Sequence, residues 1–111
     1  MTRALRSRPA RPAVVVGTVE LHPGQQRVRI DGTDQYLPTR EFALLEVLMR
    51  HAGQVQHRAD LLARLWDPAV DPRSLDVHVL RLRRRLEVDP HAPQRLVTVR
   101  GLGYVYVDTT D

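Results

Sequence analysis

Residues 71–90 read DPRSLDVHVLRLRRRLEVDP, and the spacing within them decides the fold. Leu75, Val79, Leu82 and Leu86 recur at steps of four, three and four, which sets them in one stripe along a helix. At about 100° per residue, the opposite side carries Arg73, Val77, Leu80, Arg81 and Arg84. His78, Arg83 and Arg85 flank the stripe. Asp71 is suited to cap this helix and Pro72 to its first position, where a missing N–H leaves no bond unmade. Asp89-Pro90 closes the segment, so the helix is expected over about residues 72–88. One face packs on a core, and the other offers cations.

Working upstream, a shorter helix is expected from His57 to Trp66, burying Leu61, Leu62, Leu65 and Trp66. Before it, Phe42, Leu45, Leu48, Met49 and Ala52 recur at helical spacing, with Arg40, Glu46 and Arg50 facing elsewhere. Thr39 is a candidate cap, Glu41 suits the positive helix N-terminus, and Gly53 sits where the helix should stop. The first third reads as three strands. Val14–Leu21 is largely apolar or β-branched, Arg27–Ile30 alternates, and Gln35–Leu37 is a short third run. His22-Pro23-Gly24 marks a turn, and Asp31-Gly32 suits a tight hairpin. Downstream, Leu96–Val99 and Tyr104–Val107 flank Arg100-Gly101-Leu102-Gly103, which predicts a terminal hairpin. The class is α+β. A basic helix preceded by a helical pair and followed by an Arg-bearing hairpin is the layout of a winged helix-turn-helix, here behind an N-terminal antiparallel sheet. Residues 1–12 hold Arg3, Arg6, Arg8 and Arg11 with Pro9 and Pro12, and no periodicity. They are expected to form a flexible basic leader or interdomain linker, with residues 13–111 as the folded domain.

Composition narrows the function. The 111 residues suit one domain, and 42% apolar residues suit a globular one. No apolar run is long enough for a bilayer, the N-terminus lacks the apolar core of a signal peptide, and no cysteine is present. A cytoplasmic protein with no membrane partner is expected. The formal charge is +4, and all 17 basic residues are arginine. Arginine suits planar, bidentate contact with phosphate and guanine, although a GC-rich genome also raises its usage. The cluster Arg81, Arg83, Arg84 and Arg85 is the footprint that an anionic partner needs.

Three stretches, LPTREFALLEVL at 37–48, LDVHVLRLRRRLE at 75–87 and TVRGLGYVY at 98–106, resemble the C-terminal effector domain of OmpR/PhoB-type transcription regulators. The likeness covers about residues 14–107. It implies a third helix in the major groove of duplex DNA and a wing over residues 96–107 at the adjacent minor groove. It also implies head-to-tail binding on direct repeats, and contact with RNA polymerase through the helix-joining loops. On that pattern His78, Arg81 and Arg83 face DNA from the helix, and Thr98 and Arg100 from the wing. Arg73, Val77, Leu80, Arg84 and Arg85 complete the candidate interface. Three departures stand out. Leu80 takes a position often polar or basic in the family, where it either meets a thymine methyl, as Val77 can, or shields the core edge. The loop over about residues 67–72 is short, which puts a polymerase contact there in doubt. Pro38 stands where a capping threonine is usual. The leader TRALRSRPARP resembles the end of a receiver domain plus a linker, so a receiver is expected in a longer protein.

Individual residues keep alternatives. Arg83 lies near the buried stripe and serves either phosphate contact or an internal salt bridge. His78 is either a phosphate contact or a hydrogen-bonded structural histidine. Rival readings are a basic RNA-binding module or a protein-interaction winged helix; an RNA module would present stacking aromatics, and Phe42 and Trp66 lie on buried faces. No catalytic arrangement, metal-ligand spacing or Gly-rich phosphate loop is visible, so neither an enzyme nor a cofactor is expected.

Overall fold

Asp31 and Gly32 both have positive φ, 52° and 85°, the geometry of a two-residue turn that follows the twist of its strands. They join β3 (Arg27–Ile30) to β4 (Thr33–Gln35), with Ile30 opposite Thr33. The computed structural model describes residues 11–109; residues 1–10 of the expected leader lie outside the described residues. β1 (Val14–Val16) and β2 (Val19–His22) complete a four-stranded antiparallel sheet in the order β1-β2-β3-β4. The run 14–21 is therefore two strands, not one. Gly17, at φ 60°, turns the chain so that Val16 opposes Val19. One glycine within a valine-rich run is a weak interruption, and it hides the hairpin. Val19 and Leu21 pair with Ile30 and Val28, and all four are buried, while Glu20 and Arg29 point away.

α1 (Thr39–Arg50) lies at the centre, packed against β1, two other helices and the C-terminal sheet. Thr39 does not cap it. Pro38 holds the N-cap position without a side-chain bond, and its carbonyl accepts the Phe42 N–H at 2.9 Å. Phe42, Leu45, Leu48 and Met49 are buried as their spacing predicts. Glu46, expected outside, is buried too. Arg11 donates to it twice, at 2.6 and 2.9 Å, and Arg50 once at 3.0 Å. Burial pushes the Glu46 carboxyl up, but those hydrogen bonds outweigh it and hold the pKa below the ordinary value. Arg50 also donates to the Pro12 carbonyl at 2.7 Å, so residues 11 and 12 lie along α1.

α2 (Arg58–Leu65) and α3 (Arg73–Leu86) follow, and Trp66 is buried between them and α1. α3 begins one residue past Pro72, which already has helical dihedrals, and Asp71 Oδ1 accepts the Arg73 N–H at 2.9 Å. It stops at Leu86, earlier than expected, because Glu87 is extended and its carboxylate accepts the N–H groups of Gln94, Arg95 and Leu96. The C-terminal hairpin, β6 (Leu96–Val99) and β7 (Gly103–Tyr106), gains a third strand, β5 (Gln56–His57), in the order β5-β7-β6. A Cβ on Gly103 would collide with the Gln56 carbonyl, so only glycine lets β5 approach.

Candidate nucleic-acid interface

α3 is fixed on the core by Leu75, Val79, Leu82 and Leu86, each no more than 2% exposed. Its outer side presents Arg73, Val77, Leu80, Arg81 and Arg84, all exposed, as the periodicity predicts, and Arg85, expected at the flank of the stripe, is exposed beside them. These side chains differ in what holds them. Arg73 reaches back to Asp71, with Nη2 to Oδ2 at 3.0 Å, and that bond lowers the Asp71 pKa. Arg81, Arg84 and Arg85 have no hydrogen-bond or ion-pair partner among the described residues. They line a shallow depression with Leu37, Pro38 and Glu41. Glu41 is engaged by His78, so three neighbouring cations without an ion-pair partner repel one another and favour an anion that spans them.

Of the three residues expected to flank the stripe, His78 and Arg83 turn inward. His78 Nδ1 bonds the buried carboxylate of Glu41, and its ring lies 5.3 Å from that of Trp66. Only about a fifth of the His78 side chain is exposed (19%), which favours the hydrogen-bonded structural reading over phosphate contact. Arg83 makes no internal salt bridge among the described residues. Its Nε donates to the Leu96 carbonyl at 2.9 Å, its Nη2 to Thr98 Oγ1 at 2.7 Å, and its guanidinium lies 5.7 Å from the Tyr104 ring centroid. It ties α3 to the wing. Thr98 is exposed on β6 with its hydroxyl taken by Arg83, whereas Arg100 stands exposed at the hairpin tip, with no partner among the described residues.

A second tie, not foreseen from the sequence, sits in the first turn of α3. Asp76 accepts from both terminal nitrogens of Arg58, at the start of α2, and from the Tyr104 hydroxyl at 2.5 Å. The Arg58 guanidinium first, then the Tyr104 hydroxyl, hold the Asp76 carboxyl below its ordinary pKa despite partial burial. Burial, then the bond to Asp76, pushes Tyr104 up to about 12. The Leu102 carbonyl at the wing tip accepts the Arg58 N–H at 3.1 Å. Arg95 closes the other end, donating to the Leu86 carbonyl at 2.6 Å, Thr18 Oγ1 at 3.0 Å and Asp31 Oδ1 at 2.5 Å. Arg40 donates to the Leu65 carbonyl and stacks 5.1 Å from the Trp66 ring. The only sequence signal for these ties was an acidic residue, Asp76, among so many arginines, and it named no partner. Arg58, Arg83 and Arg95 thus lock helix, wing and sheets together, whereas Arg81, Arg84 and Arg85 stand unpaired among the described residues on the outer face of α3.

A helix held this firmly, with free arginines outward and a hairpin locked beside it, defines a winged helix-turn-helix domain. The chain belongs to the family described as "Transcriptional regulatory protein, C terminal", matched over residues 32–106, and its fold is that of OmpR/PhoB-type effector domains. Domains of this family are not enzymes. The chain is 48% identical over 90 residues to sensory transduction protein RegX3 of Mycobacterium tuberculosis, covering 79% of this chain and 40% of that protein. It spans about two fifths of that relative's length. Among solved structures, the response regulator DrrB of Thermotoga maritima, an OmpR/PhoB homologue, superposes with a TM-score of 0.80 at 32% identity, over 86% of this chain and 44% of that one. The DNA-binding domain of RstA from Klebsiella pneumoniae, solved in complex with the RstA box, superposes with a TM-score of 0.78 at 33% identity, over 88% and 99% of the two chains.

Proposed function

We propose that this domain binds double-stranded DNA in a sequence-specific manner as the effector part of a bacterial response regulator. α3 enters the major groove and the β6–β7 wing meets the neighbouring minor groove. The observation that carries this reading is the unpaired trio Arg81, Arg84 and Arg85 on an exposed helix face, beside a wing whose tip arginine is free. Arg81 is suited to a guanine edge, Arg84 and Arg85 to phosphates, and Arg100 to the negative potential of a narrow minor groove. Thr98 and Arg83 act by shaping the wing, and Arg73, already held by Asp71, contributes at the margin of the contact.

Binding head-to-tail on direct repeats fits a domain with one helix and one wing per half-site. RegX3, of which this chain matches a part, is a sensory transduction protein, which supports a receiver domain in the full-length protein. Both would act in the cytoplasm, where the DNA lies, and among the described residues no helix is long and apolar enough to cross a membrane. The α2–α3 loop is anchored through Asp67, which accepts the Ala69 and Val70 N–H groups. It leaves Asp67, Pro68 and Ala69 exposed, but its shortness weighs against it as the contact for RNA polymerase. The RNA-binding alternative lacks a stacking platform: Trp66, Phe42, Tyr104 and Tyr106 are buried, and Tyr36 alone among the described aromatics is largely exposed.

Fluorescence anisotropy on duplex DNA across a salt series tests the proposal. The log–log slope should lie between about −3 and −6, near −0.9 per phosphate neutralised. A flat response, or tighter binding to single strands than to duplex, would rule it out.

A further inference from the structure

Resting on the DNA-binding reading above, we infer that Val77 and Leu80 form an apolar ridge that reads thymine 5-methyl groups, so that each preferred half-site sets thymine beside guanine. Four apolar residues of α3 are sealed in the core, but Val77 and Leu80 are 45% and 41% exposed. Three residues apart on a helix, they stand one above the other on the same face. Arg81 lies one turn beyond Val77, and Arg84 one turn beyond Leu80, both exposed and unpaired among the described residues. The ridge is thus bordered by cations. Its occupant has to bring negative charge at the borders and an apolar point at the centre. The major groove does this: phosphates wall it, and the thymine methyl projects from its floor.

Leu80 sharpens the inference. A leucine has no donor or acceptor, so at this position the helix forms no hydrogen bond with a base edge. Facing cytosine N4 or adenine N6, it would cover a polar group without satisfying it, which disfavours those bases. Facing a thymine methyl, it buries apolar surface on both partners. Full burial of one methyl corresponds to about a three- to fivefold change in affinity. Guanine beside thymine then follows from Arg81, whose fork matches O6 and N7.

The test begins with the whole 111-residue chain selecting duplexes from a random pool. Each thymidine of a selected duplex is then replaced by deoxyuridine, which removes the methyl and keeps every hydrogen-bonding group. At one or two positions per half-site, the swap should weaken wild-type binding about three- to fivefold. The same swap should have less than half that effect on Leu80→Ala or Val77→Ala, whose thermal melts should match the wild type because both residues are exposed. A uridine scan that is silent throughout, or penalties unchanged in both variants, overturns methyl reading and leaves DNA binding in place. A pool that enriches no duplex, or a ridge covered only by an acidic protein surface, removes the DNA-binding reading itself.

Discussion

The Tyr104 hydroxyl of β7 donates a 2.5 Å hydrogen bond to Asp76 on α3, and Arg58 from α2 takes both oxygens of the same carboxylate. One anion therefore sets the angle between helix and wing. Asp76→Asn keeps the size and removes the charge. Because both ion-pair partners are more than a third exposed, the loss in stability should be modest, about 1 kcal/mol. DNA affinity should fall several-fold, since the wing and helix no longer share a fixed geometry. Urea titrations and anisotropy on the same sample check both. Unchanged affinity would show that the wing holds its place without Asp76.

The same pair gives two pH signatures. The folded pKa of Asp76 lies below its ordinary 3.8, so its contribution is complete above about that pH and is lost as pH falls through the lower folded value. Tyr104 runs the other way. Its folded pKa rises from 10.0 to about 12, so its contribution is complete below pH 10.0 and fades as pH climbs through about 12. Ultraviolet titration of the folded protein should show a tyrosine ionising near 12 that Tyr104→Phe removes. Ionisation of that tyrosine near 10 would mean that neither its burial nor its bond to Asp76 holds in solution.

Arg81 and Arg84 lie one turn apart, both exposed, but should fail differently. Arg81→Ala should cost roughly 1–3 kcal/mol of discrimination between a selected operator and a mutated one. Arg84→Ala should weaken all duplexes about equally and make the salt slope shallower by about one. Salt-series titrations on matched and mismatched duplexes separate the two. Equal, sequence-blind losses would place both arginines on phosphates.

The legible parts of the chain were those governed by period and by turn chemistry. The stripe of Leu75, Val79, Leu82 and Leu86 and the Asp31-Gly32 hairpin stand where the residues put them. Sequence reads burial well because burial repeats, whereas long-range pairing leaves no period. Arg83 bonds a strand 13 residues on, Arg58 a helix 18 residues on, and Arg11 a carboxylate 35 residues on. Helical period sets Arg83 apart from Arg81 and Arg84 but does not name its partner, and no local pattern marks Arg58 or Arg11 as tied. The expected exposure of Glu46 failed for that reason: its counter-charges come from distant chain. The two-residue β5 was missed because it has no hydrophobic pattern of its own and exists only by pairing with β7.

Gly103 and Gly101 look alike in sequence and should respond differently. Gly101 has φ 78° with open space at the Cβ position, so Gly101→Asn, a residue tolerant of that conformation, should cost little. Gly103→Ala drives a methyl into the Gln56 backbone, where no flexible side chain can yield. About 1–3 kcal/mol should be lost, with hydrogen exchange rising at Gln56 and His57. Equal melting temperatures for Gly103→Ala and the wild type would show that β5 is dispensable.

Arg83 and Arg100 give the sharpest contrast between holding the wing and using it. Arg83 spans α3 and β6 through two hydrogen bonds and lies over Tyr104, so Arg83→Ala leaves the Leu96 carbonyl without a side-chain donor and uncovers an aromatic face. Stability should fall by about 1–2 kcal/mol, and binding with it. Arg100 at the tip is solvated in the folded and unfolded chain alike, so Arg100→Ala should leave the melting temperature nearly unchanged. Against DNA the same side chain would enter a groove of enhanced negative potential, and its removal should weaken binding several-fold, most on A·T-rich flanks. Thermal melts and binding titrations run on both variants decide it. A large drop in melting temperature for Arg100→Ala, or none for Arg83→Ala, would reverse the two assignments.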